Sequence, residues 1–155
     1  MNIPYDMFTG AFLSKITEFD LRIIGDQNRR TIVDGYMKQA VNAFCNICKC
    51  DYFLSADDVE RTYTVGHEDG TDLSDNEVTE IVSIVSEGMV VYWMKPYLNR
   101  QENLELVMNT RDYTTYSSAE LLYRVGEAYK RAQADFTNMM REYSFNHGDL
   151  SDLHL

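Results

Sequence analysis

The chain has 155 residues, with 14 Lys and Arg against 25 Asp and Glu, a net charge of −11, three Cys, two Pro and one Trp. One domain is the natural expectation at this length, and eleven Tyr with seven Phe argue against intrinsic disorder, because disordered segments are poor in aromatics. The acidic balance excludes a basic clamp on duplex DNA as the main activity, since such binding rests on Lys and Arg neutralising phosphates.

The opening MNIPYDMFTG has no basic stretch followed by a long apolar run, so no export signal is read there and folding in a cytoplasm is expected. A first helix is expected from about Tyr5 to Ile16, with Phe8, Phe12, Leu13 and Ile16 on one side and Gly10 weakening it. Asp26 then reads as an N-cap for a helix running from about Gln27 to Cys48. Its apolar residues Ile32, Val33, Tyr36, Met37, Ala40, Val41 and Phe44 repeat in pairs every four positions, the stripe of an amphipathic helix.

Residues 51–77 hold nine acids (Asp51, Asp57, Asp58, Glu60, Glu68, Asp69, Asp72, Asp75, Glu77) against Arg61, a local balance of −8. That stretch reads as an excursion outside the bundle, spanning 49–73, with enough β-formers in Glu60 to Val65 for a short hairpin arm. Leu73-Ser74-Asp75-Asn76-Glu77-Val78 is a helix start: Ser74 as N-cap, Glu77 closing a capping box, Leu73 and Val78 as the hydrophobic staple. The helix it opens is expected to be deeply buried, Trp93 included, and to end at Lys95, because Pro96 disfavours the helical region for its predecessor. Within it, the apolar run Ile81–Met94 is 14 residues long and interrupted by Ser83, Ser86, Glu87 and Gly88, short of the roughly 20 a bilayer span takes.

Leu98 to Met108 suggests a further turn or two of helix. Ser117 and Glu120 then repeat the capping box ahead of a long helix. One face of that helix carries Leu121, Leu122, Val125, Ala128, Tyr129, Ala132, Phe136, Met139, Met140 and Tyr143; the other balances Glu120, Glu127, Asp135 and Glu142 against Arg124, Lys130, Arg131 and Arg141. The pattern predicts an all-α fold: one helical-bundle domain over 1–145, built on about four main helices, and an extended tail over 146–155.

Chemical signatures are sparse. Cys45, Cys48, Cys50 and His67 could supply four soft ligands to zinc, but no second C-x-x-C or H-x-x-x-H accompanies them, so core and helix-end roles are expected. An odd number of crowded cysteines is no disulfide framework either. The run His67 to Asp72 fails the calcium-loop pattern: aligned on Gly70, Val65 stands where the first carboxylate belongs and Asn76 where the closing Glu belongs. No nucleophile-and-base pair or glycine-rich phosphate loop occurs, so no enzyme and no cofactor is expected. Aromatics with a polar tip suit contacts, and candidate interface positions are Tyr52, Tyr63, His67, Asp69, Tyr113, Tyr116, Phe145, Leu150 and Leu153.

The helix end Tyr92-Trp93-Met94-Lys95-Pro96 is followed by Glu102-Asn103-Leu104, by Asn109-Thr110-Arg111-Asp112-Tyr113-Thr114-Thr115-Tyr116-Ser117, by the long helix, and by the close Tyr143-Ser144-Phe145. In this order the chain resembles, over residues 5 to 145, the head-tail connector, adaptor or neck proteins of tailed bacteriophages of Gram-positive hosts. It departs from that pattern in the acidic excursion and in the tail after Asn146. The resemblance implies a virion structural protein. Its subunits would form a homo-oligomeric ring, dodecameric in expectation, between the portal protein and the tail or next neck protein, with DNA passing through the lumen unbound and no membrane involved. The alternative from another class is an acidic, phage-encoded cytoplasmic module that mimics DNA to inhibit a host nucleic-acid-binding protein.

Overall fold

Phe8, Phe12, Met37, Phe44, Ile81, Val85 and Met89 are sealed from solvent together, and the spacing that put them on helical stripes is what brings them to one core. The computed structural model describes residues 1–16, 25–48, 53–67, 69–99 and 118–147. Within these, the order is β1 (Asn2–Pro4), α1 (Tyr5–Lys15), α2 (Asp26–Cys48), β2 (Phe53–Asp57), β3 (Thr62–Val65), α3 (Asp75–Asn99) and α4 (Ser118–His147). The fold is a mostly α helical bundle with a small antiparallel sheet against it.

Helix α3 is the hub, packing against α1, α2 and α4. Its partner α4 runs antiparallel to it: the start of α3 meets the end of α4 where His147 Nε2 lies 3.2 Å from Glu80 Oε2, and Gly88 further along faces Phe136. The close three-helix crossing depends on Gly88. A Cβ built there would stand 2.5 Å from Phe136 Cζ and 2.9 Å from the Cβ of Ala40, so only a residue without a side chain lets α2 and α4 approach this near.

The hairpin is not an excursion, which corrects the sequence expectation. Strand β3 is central in the order β1-β3-β2, with Ile3 opposite Tyr63 on one side and Ala56 opposite Tyr63 on the other. Its side chains alternate, so Tyr63 and Val65 are buried with Ile3 while Thr62 and Thr64 are half-buried. Strand β1 supplies the reason: three residues at the start of the chain pair with β3 and convert a two-stranded arm into a sheet with a core-facing side.

Other boundaries move as well. Helix α3 continues through Pro96 to Asn99; proline removes one backbone bond, and so close to the helix end few further turns depend on it. Asp26 is the first residue of α2 rather than its cap: the Gly25 carbonyl accepts from Arg29 N–H, and the Asp26 carboxylate takes the Arg29 guanidinium at 2.6 Å. Leu13 and Ile32, expected inside, are 42% and 37% exposed, at the edges of their stripes; Ala128 is exposed too. Trp93 is half-buried at the core's edge rather than deep within it. Helix α4 extends past residue 145 and takes Asn146 and His147 out of the expected tail. Ser117 lies outside the described residues, as does most of Leu98 to Met108, although α4 begins at Ser118 where the second capping box was read.

Candidate interaction surface

The acidic run 51–77 folds by using its carboxylates. Asp57 Oδ1 accepts from Val59 N–H at 2.8 Å and Glu60 N–H at 3.0 Å, closing the hairpin turn. Arg61 completes that turn with a φ of 55°, a left-handed conformation. Its guanidinium grips Asp34 of α2 with two hydrogen bonds, reaches Asp6 of α1 at 3.5 Å and stands 5.4 Å from the Tyr5 ring centroid. The bonds to Asp34 push the Arg61 pKa up. Tyr5 Oη donates to Asp58 Oδ1 at 2.9 Å and Lys38 Nζ to Asp58 Oδ2 at 2.8 Å, and these two, Lys38 first, hold the Asp58 carboxyl below its ordinary value. The hairpin is therefore tied to α1 and α2 by ion pairs above its buried face.

Further on, Asp69 Oδ1 accepts from the Thr71 amide and hydroxyl, which lowers the Asp69 carboxyl. The capping box forms as read: Ser74 N–H donates to Glu77 Oε2 at 2.8 Å, Ser74 Oγ to the same oxygen at 2.7 Å, and Glu77 N–H to Ser74 Oγ at 3.3 Å. Leu73 and Val78 flank it in the core. Glu77 Oε1 is left to His67 Nε2 at 3.5 Å and His147 Nδ1 at 3.9 Å. The Ser74 bonds first, then the two imidazoles, hold the Glu77 carboxyl down.

These positions redistribute the sequence-derived candidates. Tyr63 is core: it is 6% exposed, packs at 5.0 Å on the Tyr5 ring and edge-on at 6.1 Å on Phe8, and burial pushes its phenol up to about 12. It is withdrawn as an interface residue. His67 is half-buried against Glu77, Asp69 is exposed in its turn, and Phe145 is 69% exposed on α4. Tyr52, Cys50, Tyr113, Tyr116, Leu150 and Leu153 lie outside the described residues, and of Glu120 only the helical backbone is described. Cys45 and Cys48 are half-buried thiols, Cys48 Sγ donating to the Met140 carbonyl at 3.4 Å. Among the described residues no group of three His, Cys, Asp or Glu is arranged to hold a metal ion, and no helix is long and apolar enough to cross a membrane.

Two clefts remain. One, of about 150 Å³ between α1, α2 and the hairpin, is lined by Arg29, Arg30 and Arg61, but Arg29 is paired with Asp26 and Arg61 with Asp34 and Asp6. The other is an open groove of about 380 Å³ between the start of α3 and the end of α4, with Ile84 and Met139 in its wall and Glu80 and Glu142 beside them.

Helix α4 is the other open surface. It has 30 residues, about 45 Å at 1.5 Å per residue, and among its described side chains the fully buried Phe136, Met140 and Tyr143 fall in its last 12 residues. Nearer its start, Tyr123 is 68% exposed, and Lys130, Arg131 and Ala134 on the same side are exposed. Sequence reading missed this face because it weighed the charges of the whole helix, which balance. The signal was local: Arg124, Lys130 and Arg131 outnumber Glu127 within eight residues of an acidic chain. In comparisons with known proteins no family model matches the chain, and neither a curated protein nor a solved structure matches it.

Proposed function

We propose that the chain is a virion structural protein: a head-tail connector or adaptor subunit that oligomerises into a ring, joins the portal to the tail or the next neck component, and leaves a channel for DNA. The observation that carries this reading is the long helix α4, which packs on the bundle from Tyr129 to Tyr143 and on its other side exposes Tyr123, Lys130 and Arg131. That helix stands in the motif order by which the sequence resembles connector proteins. Neighbours in a cyclic ring meet through two different surfaces, and the exposed side of this helix offers one of them. The DNA-mimic alternative has less in its favour, since Asp57, Asp58, Asp69, Asp72 and Glu77 are each engaged in local hydrogen bonds or ion pairs instead of forming a uniform phosphate-like array.

Antibody labelling of virions from the encoding phage tests the reading. Label at the neck between head and tail is the expected result; label absent from particles, with the protein left in the infected-cell lysate, refutes it.

A further inference from the structure

We propose that the exposed face of α4 around Tyr123, Lys130 and Arg131 docks into the α3/α4 groove beside Glu80 and Glu142 of a second copy of this chain. The inference rests on the ring reading for its biological setting, but the two surfaces are argued from their own geometry and charge.

On α4 the core contacts Phe136, Met140 and Tyr143 occupy one side. Tyr123, Lys130 and Ala134 stand at i, i+7 and i+11, which lines them up on the opposite side of the helix, with Arg131 adjoining. A tyrosine supplies area and a hydrogen-bonding tip, an arginine a planar donor, and these two types dominate the binding energy of protein contacts. Ala134 leaves the helix smooth enough for close approach. Lys130 keeps a pair with Glu127 at 3.0 Å, so the face is cationic but not a bare charge cluster.

The groove complements it. Its apolar contact is the half-buried Met139, with Ile84 sealed beneath, and Glu142 and Glu80, the latter met by His147 at 3.2 Å, stand beside it, one from each helix. Charge complementarity singles out the occupant: in a chain of net charge −11, the locally positive segment Tyr123–Arg131 is what suits an acid-flanked groove. The two surfaces cannot meet within one molecule. Met139 lies about 24 Å along α4 from Tyr123, sixteen residues at 1.5 Å each. The contact must therefore join different copies through unlike patches, which when repeated head to tail close into a ring or run on as a filament.

The test uses sedimentation of the full chain from micromolar to near-millimolar concentration, with circular dichroism as the folding control. The wild type should associate beyond dimers. Two surface variants, K130E/R131E and E80K/E142K, should keep wild-type helicity and each lose at least about tenfold in apparent association constant, as like charges now face each other. Mixed together, the two variants meet through one wild-type-like contact and one charge-reversed contact, both complementary, so the mixture should associate beyond dimers where neither variant does alone. The quadruple variant, with both charge sets reversed, should associate again. Equal association of the single-face variants and the wild type overturns the proposal, as does a monomeric wild type or a mixture that fails to pair. Rings formed by the wild type but indifferent to these substitutions leave the connector reading standing and remove this surface; the expected pairing pattern with open filaments in place of closed rings keeps the surface and removes the connector reading.

Discussion

Gly88→Ala adds one methyl group at the crossing of α2, α3 and α4. The added carbon would sit 2.5 and 2.8 Å from two atoms of the Phe136 ring and 2.9 Å from the Cβ of Ala40. Neither neighbour is a flexible chain end: Phe136 is 4% exposed and Ala40 is sealed. Overpacking of this kind costs typically about 1–3 kcal/mol, and three close contacts against rigid groups argue for the upper end. Alanine recovers about 1 kcal/mol of helix propensity. The net expectation is a loss of about 2 kcal/mol, or a fall in Tm of roughly 4–8 °C for a chain of this size. Gly126→Ala on α4, where nothing lies within 4 Å of the added carbon, is the internal control and should gain roughly 0.5–1 kcal/mol. Urea unfolding followed by circular dichroism reads both. A Gly88→Ala protein as stable as the wild type would refute the three-helix crossing, and Gly88→Ala/Phe136→Leu should recover part of the loss by relieving the ring contact.

Five further outcomes follow from the same structure. Tyr63→Ala should destabilise by about 3–5 kcal/mol, as core aromatic truncations do, and replacing the hairpin by a short Gly-Ser link should abolish cooperative unfolding; an unchanged melt for either would return the hairpin to the status of a free arm. Ser74→Ala should cost about 0.5–2 kcal/mol through the lost cap. The Glu77 carboxyl is held below its ordinary value of 4.5, so the stability it contributes is present above that pH and is lost as pH falls through the lower folded-state value; Glu77→Gln should therefore flatten the acid limb of the stability profile, and a superimposable limb would deny the box. Burial, then Cys45, pushes the Cys48 thiol up to about 12, so alkylation at pH 8 followed by peptide mass mapping should find Cys48 slow in the native protein and fast in urea.

The helices were legible because their signals are local. The stripe Val33, Met37, Ala40, Val41, Phe44 lies within four turns of one helix, and the Ser74–Glu77 box within four residues, so neither needs a distant partner to be recognised. The sheet was not legible in that way. Thr62 to Val65 alternates over only four residues, and its burial depends on Asn2–Pro4, about sixty positions away, whose three residues carry no strand signal of their own. Charge misled for a related reason: the acids of 51–77 looked like a solvated run, whereas Asp58 is answered by Lys38 and Tyr5, and Arg61 reaches back to Asp34 and Asp6. Pro96 shows the limit of a local rule, since a proline in the last turn removes one bond and the helix outlasts it. At the candidate surface, Tyr63 was selected for its ring and polar tip, properties that serve a core as well as an interface.

The most direct test of the connector account is electron microscopy of the purified chain, alone at high concentration and mixed with the portal of the encoding phage. Class averages should contain closed rings of several copies around an open channel, stacked on the portal in the mixture. Monomers or closed dimers that leave the portal bare under both conditions would contradict it.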